Sequence, residues 1–345
     1  MLYFKNQVAL RKQKFMRKIN YLLLIIICIV LSCTSPNKEN GSKKIPVIGF
    51  LDFVEDPTLA KAKQGFMDAL EKGGFSEKDS TMRLIYNNAQ GDIPTLGQSC
   101  DLLISKNVDL IASNTTLSTI TAVQRTKTLP AGKAGIPVCM MVAPRPDLAK
   151  LTDAKGNNPP NLFGVYETLD YIDTAISIIR TLQPAAKKIG TVYNQSEPQS
   201  RDAYSKLESK CKELDLTLIS LPVNNSSETQ LVTQSLLSKS IDVFFALPDN
   251  VIFASFETIA KSCNDANVPI FTSEAGLVSR GAVASFGADF YLWGYQSGEQ
   301  AVQFLKTNSL EAVKPEIVKV RKRIYNPEVA QKFNIVPDSS FSSYK

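Results

Sequence analysis

Ile45-Pro46-Val47-Ile48-Gly49-Phe50-Leu51-Asp52-Phe53, followed from Pro57 by Leu59, Ala62, Phe66, Ala69 and Leu70, decides the fold. The first run is short and apolar and reads as a strand. The second recurs at helical spacing and stops at Gly73-Gly74, so it reads as a helix from Pro57 to Gly73. The same alternation repeats along the chain. Strands are expected at Met82 to Tyr86, Val108 to Ser113 and Ile136 to Val142, with helices at Ile93 to Lys106 and Leu117 to Thr126. Ala143 to Asn161 holds four prolines and polar residues without period, so it is a loop and a candidate crossing between domains. The rhythm then restarts with strands at Lys188 to Tyr193, Leu216 to Leu221, Val243 to Leu247, Pro269 to Ser273 and Gly281 to Phe286. Helices are expected at Leu169 to Leu182, Pro198 to Glu213, Ser227 to Ser238, Val251 to Asn267 and Trp293 to Thr307. This is an α/β chain, and single cores stop growing near about 250–300 residues, so two doubly wound Rossmann-like lobes facing a cleft are expected.

Ahead of this domain, residues 1–20 carry six basic side chains and no acid, and Tyr21 to Leu31 is an apolar run of 11. That run suits a secretory signal and falls short of the roughly 20 residues that span a bilayer. It closes on Val30-Leu31-Ser32-Cys33, which is similar to the lipobox of bacterial lipoproteins. Residues 1–32 therefore read as a lipoprotein signal peptide, Cys33 as the lipidation site and residues 33–44 as a flexible tether. The whole formal charge of +6 belongs to the leader, because 39 basic residues less those six leave 33 against 33 acids. The mature protein is near neutral, and nothing points to nucleic acid. Cys100, Cys139, Cys211 and Cys263 remain in the folded part, widely spaced, and read as buried free thiols.

No histidine occurs anywhere in the 345 residues. His-dependent nucleophilic catalysis is excluded, and so is the usual imidazole ligand set of catalytic zinc. No phosphate-cradling glycine loop follows the first strand. No metal, no cofactor and no enzymatic activity are expected. In open α/β sheets ligands sit beyond the carboxyl ends of the strands. The residues there are Phe53 and Glu55, Asn88 and Gln90, Asn114, Thr115 and Thr116, and Ala143 in the first half. In the second half they are Tyr193 and Asn194, Asp249 and Asn250, and Glu274. Asn114, Thr115 and Thr116 lie between a strand and the start of a helix, where hydroxyls and N–H groups either cap the helix or hold a ligand carboxylate. Asp249 either caps its helix or pairs with a ligand ammonium, the second favoured because Asn250 would serve as a cap without it, and Glu55 is the other expected partner of the ammonium. Trp293, with Phe290 and Tyr291, reads as aromatic packing at the junction of the lobes.

The stretches Ile48 to Pro57, Gly65 to Leu70, Asn88 to Asp92, Gly190 to Glu197 and Leu247 to Asn250 together resemble one family. It is the ABC transporter substrate-binding proteins that include the tryptophan- and tyrosine-binding lipoproteins. The resemblance runs from Ile45 to about Ile335. It implies a type I periplasmic-binding fold, two lobes joined by three crossings, with a small-molecule solute enclosed at the hinge. It implies delivery of an amino-acid-like solute to an ABC permease and its ATPase, by a monomer held to the extracytoplasmic side of a membrane by its lipid. It also implies discontinuous lobes, residues 45–163 plus 282–308 and residues 164–281 plus 309–340. Three turns depart from the family pattern: Val54-Glu55-Asp56-Pro57 where a histidine is usual, Ala143-Pro144-Arg145-Pro146 for Thr-Asp-Pro, and Asn114-Thr115-Thr116 for Ala-Thr-Pro. A ligand-sensing receptor for a membrane signalling protein is the alternative, and an extracytoplasmic enzyme using cleft carboxylates a more distant one.

Overall fold

The computed structural model describes residues 44–127 and 135–344. The expected signal peptide, Cys33 and nearly all of the tether lie outside the described residues. The chain runs β1 (Val47–Asp52), α1 (Pro57–Lys72), β2 (Arg83–Asn88), α2 (Ile93–Ser105), β3 (Leu110–Asn114), α3 (Thr116–Lys127), β4 (Val138–Pro144) and β5 (Leu162–Glu167). It continues with α4 (Tyr171–Leu182), β6 (Lys188–Tyr193), α5 (Pro198–Glu213), β7 (Thr217–Pro222), α6 (Thr229–Leu237), β8 (Val243–Ala246), α7 (Asn250–Ala254), α8 (Phe256–Asp265) and β9 (Ile270–Thr272). Last come α9 (Ala275–Val278), β10 (Ala284–Ala288), α10 (Phe290–Thr307), β11 (Pro315–Ile317), β12 (Arg321–Tyr325), α11 (Pro327–Lys332) and β13 (Ser342–Ser343). Among the described residues no helix is long and apolar enough to cross a membrane.

Two sheets result, ordered β11-β5-β4-β3-β1-β2 and β13-β12-β10-β9-β8-β6-β7. Among the described residues all pairings are parallel except β10 with β12. The parallel register lines up the strand ends of the first sheet, with Asp52 opposite both Asn88 and Asn114 and Asn114 opposite Met141. Those ends form one wall of the interlobe cleft. The chain passes between sheets three times, in the stretches between β5 and α4, between β10 and α10, and between β11 and β12.

Sheet membership moves the expected edges of the lobes. The first lobe does not end near Phe163, because Leu162–Glu167 is β5, paired with β4 and β11. Nor does the chain return from Ala282, because β10 pairs with β9 and β12 in the second sheet; the return begins with α10. Residues after Asn308 first add β11 to the first sheet before β12 joins the second. β5 is hard to read in sequence because Gly164 interrupts it with φ of 110°, and a Cβ there would lie 2.3 Å from the Met140 carbonyl oxygen. The single helix expected over Val251 to Asn267 is broken at Ser255 into α7 and α8.

Local chemistry sets the elements that face the cleft. Asp56 caps α1 by accepting from the Thr58 and Leu59 N–H groups at 2.7 and 3.0 Å, and Pro57 occupies the first helical position, where no donor is needed. The buried face of α1, including Leu59, Ala62, Phe66, Ala69 and Leu70, packs on the first sheet and against α10. α1 and α10 touch backbone to backbone at Gly65 and Gly294. The four cysteines at 100, 139, 211 and 263 are free and buried, and burial pushes each thiol up to about 12 or beyond.

Candidate functional site

A small cavity of about 30 Å³ lies between the lobes, well under the roughly 300–1,000 Å³ of ligand pockets. The first lobe contributes Thr116 at the start of α3, Val142, Ala143 and Pro144 at the end of β4, and Glu167 at the end of β5. Across from them stand Gln199 on α5, Pro248 and Phe253 around α7, and Glu274 after β9. Leu169, Tyr171, Phe290 and Trp293 close it at the crossings. The wall is mainly aromatic and aliphatic with a few convergent polar groups, the composition of a small-molecule site.

The backbone is strained around this cavity. Thr115, Val142 and Leu169 have φ of 84°, 49° and 66°, left-handed values that β-branched and bulky residues avoid. Among the described residues the other positive non-glycine φ values fall on Ser, Gln, Asn, Lys and Asp, none of them β-branched, and Asn and Asp tolerate them best. Strain of about 1–3 kcal/mol per residue persists only where its surroundings over-determine it, and it gathers at binding sites.

Polar groups divide by lobe. The first N–H groups of α3 have no intrahelical partner by geometry, and the helix dipole adds partial positive charge there. Beside them the hydroxyls of Thr115, Thr116 and Ser118 are buried without hydrogen-bond partners. Opposite, Gln199 presents a buried side-chain oxygen, also without a partner. Glu274 is 1% exposed and accepts on Oε1 from Tyr171 Oη at 2.9 Å and Ser273 Oγ at 3.1 Å. Burial, with Glu167's charge behind it, pushes its carboxyl up to about 8. Glu167 is itself held by Arg321 through Nε to Oε2 at 2.9 Å and Nη2 to Oε1 at 2.6 Å. Trp293 lines the cavity while its indole N–H donates to the Val165 carbonyl at 2.8 Å, so it serves both junction and wall.

Of the residues singled out in sequence, Thr116, Ala143 and Glu274 line this cavity. Phe53, Gln90, Asn194 and Asn250 line instead an outer groove where the mouth of the cleft meets solvent. Asp249 is corrected from ligand partner to scaffold. Its Oδ1 accepts from the Val251 and Ile252 N–H groups at 2.8 and 3.1 Å, and its Oδ2 from the Asn194 N–H and Ser200 Oγ at 2.7 and 2.5 Å. Nothing remains for a ligand. Asn250 does not cap α7; it bonds Glu197, another buried acid whose carboxyl burial raises. Glu55 is exposed and lines neither space. Asn114 is turned inward, donating to Asp52 Oδ1 at 2.7 Å and the Leu59 carbonyl at 3.3 Å. Asn88 caps its own turn through the Gln90 N–H, and Tyr193 stacks on Tyr204 with centroids 4.2 Å apart. Gln199, Phe253, Glu167 and Tyr171 had no local signal, since each sits inside or beside an element whose periodicity reads as packing.

The lobes also meet at a second place. Arg280, after α9, donates from Nη1 to Asp56 Oδ2 and to Thr58 Oγ1 on α1, and from Nε and Nη2 to Glu257 at 2.8 Å each. Gly276 allows this approach, because a Cβ there would lie 2.0 Å from Thr58 Cγ2. Asp56, which replaces the histidine usual in the resembled motif, is therefore both helix cap and cross-cleft anion.

Comparison with known proteins places these features. The profile of the family described as ABC transporter substrate binding protein matches residues 47–344. A tyrosine-binding protein of Clostridioides difficile is 34% identical over 279 residues, 81% of this chain and 78% of that protein. Among solved structures, the ABC domain from Streptococcus pneumonia in complex with L-Trp is 25% identical, with a TM-score of 0.74 over 86% of this chain and 96% of that one. The ligand-free, open structure of a Clostridium difficile substrate binding protein with adhesive properties is 26% identical, with a TM-score of 0.62 over 87% and 99%. The chain thus superposes better on the complex with L-Trp than on the open form.

Proposed function

Because the chain belongs to the ABC transporter substrate-binding protein family, we propose that it is the lipid-anchored, extracytoplasmic solute receptor of an importer and binds an aromatic amino acid. The observation that carries this reading is the division of the cavity. The start of α3 offers N–H groups and hydroxyls on one lobe, Glu274 and Gln199 offer acceptors on the other, and Phe253, Phe290 and Trp293 stand between. A zwitterion placed carboxylate to α3 and ammonium to Glu274 touches both lobes, and a ligand that touches both stabilises the closed state. The likeness to a tyrosine-binding protein and to a structure holding L-Trp supports the aromatic side chain. The solute leaves unchanged, handed to a permease and its ATPase. Lipid at Cys33 keeps a monomeric receptor concentrated beside them.

Titration calorimetry of the purified protein against the twenty proteinogenic amino acids tests the binding half. Tyrosine, tryptophan or phenylalanine is expected to bind with micromolar or tighter affinity, and silence across the set overturns the reading. Metabolic labelling with palmitate tests the anchor: the parent is expected to take up label that Cys33→Ser does not, and an unlabelled parent overturns the lipid assignment.

A further inference from the structure

Among the described residues two carboxyl groups and no cation line the inner cavity, and the cations behind it are taken. Arg321 on β12 is spent on Glu167 of β5 through two hydrogen bonds, and Lys322 pairs with Asp289 ahead of α10. Glu274 faces only hydroxyls, those of Tyr171 on α4 and of its neighbour Ser273. The remaining walls, from α3, α5, α7 and α10, bring Thr116, Gln199, Phe253, Phe290 and Trp293, none of them ionisable near neutral pH. A sealed carboxylate without a counter-charge is the costly form, and such a group takes up a proton instead.

Resting on the reading that the solute carries an ammonium, we propose that Glu274 selects solutes by exchanging its own proton for the ligand's cation. In the free protein the side chain is a carboxylic acid. When an ammonium group docks against it, the O–H bond breaks, the proton leaves to bulk water, and the carboxylate keeps the electron pair and faces the ammonium. Release of the solute reverses each step, and no other reactant is consumed. Burial pushes the Glu274 carboxyl up to about 8. One proton is therefore released per amine bound at lower pH, and affinity rises about tenfold per pH unit until that value is passed. A deaminated analogue of the same ring gains nothing from this exchange, so the cavity rejects it most strongly at high pH, where Glu274 of the free protein is already charged.

Calorimetry with L-tryptophan and L-tyrosine in two buffers of different ionisation heat reads the proton count directly. The parent is expected to release close to one proton at pH 6.5 and almost none well above pH 8. Glu274→Gln is expected to bind more weakly with neither release nor pH slope. Tyr171→Phe, which removes a donor to the carboxylate, is expected to move the slope to higher pH. Binding by the parent without proton release, or release that survives in Glu274→Gln, overturns the exchange.

A second arm needs no ligand. Glu274's folded value lies above its ordinary 4.5, so the stability it favours is fully present below 4.5, falls as pH rises from there, and is lost once pH passes about 8. Unliganded Glu274→Gln is then expected to melt together with the parent at pH 4.5 and above it at pH 8.5. Parallel melting curves at both pH values overturn the neutral acid even if no amino acid binds; divergent curves with no amino acid bound remove the solute reading alone.

Discussion

Gly294→Ala is expected to destabilise the protein by about 3 kcal/mol or more, the upper end of what overpacking costs. A Cβ at Gly294 would lie 1.8 Å from the Ala62 carbonyl oxygen and within 3 Å of the carbonyl carbon and Cα of the same residue. All three atoms are backbone of α1, so no side chain can swing aside. The two helices must separate by more than an ångström along a contact that also includes Gly65, where a Cβ would lie 2.0 Å from the Tyr291 carbonyl oxygen. Close-packed interiors transmit such a shift instead of absorbing it. Because Phe290 and Trp293 stand on the first turn of α10, the displacement also reaches the cavity wall. Thermal unfolding is expected to fall by on the order of 5–10 °C, with solute affinity reduced alongside. Gln303→Ala, on the exposed side of the same helix, is the control and is expected to be silent. A melting temperature for Gly294→Ala equal to that of the control would defeat the argument.

Arg280→Ala is expected to weaken solute binding by about two orders of magnitude while lowering thermal stability much less. The Asp56 side chain is fully buried and that of Arg280 is 9% exposed. Removing one partner of a buried ion pair costs about 3–5 kcal/mol, because the other charge is left uncompensated. Here the two partners sit on different lobes, so opening the cleft hydrates Asp56 and relieves the penalty without unfolding either core. The loss therefore appears as a shift from closed to open, and a solute that binds the closed form is weakened by the same factor. Arg280→Lys keeps the charge but cannot hold Asp56, Glu257 and the Phe253 carbonyl at once, so an intermediate loss is expected. Small-angle scattering of the unliganded variant should give a larger radius of gyration than the parent. Equal radii with equal affinity would show that the pair does not govern closure.

Much of the architecture was legible because it is written in short-range pattern. Apolar runs of strand length, helical periodicity, Asp56-Pro57 before α1 and Gly73-Gly74 after it each act over a few residues. The misses have physical causes of another kind. β5 carries a glycine that makes room for the Met140 backbone. The Val251 to Asn267 segment keeps its helical period across the break at Ser255. β10 reads as a strand correctly, but its sheet is set by partners, β9 before it and β12 after it.

The site shows the same division more sharply. Asp249 and Glu274 look alike in sequence, each an acid just past a short apolar strand in the second half. The first has its oxygens filled by two N–H groups of its own helix, the Asn194 N–H and Ser200. The second meets two hydroxyls and no cation. By itself the sequence determined the α/β alternation, the family and the loops that meet at the cleft, since these follow from local spacing and from the rule that strand ends face ligands. Tertiary structure alone decided which acid is committed to scaffold, that Gln199 and Phe253 reach the cavity, and that Arg280 meets Asp56, 224 residues away. Those outcomes depend on which buried groups already have partners, and partners so distant along the chain are chosen by how the two sheets stand against each other.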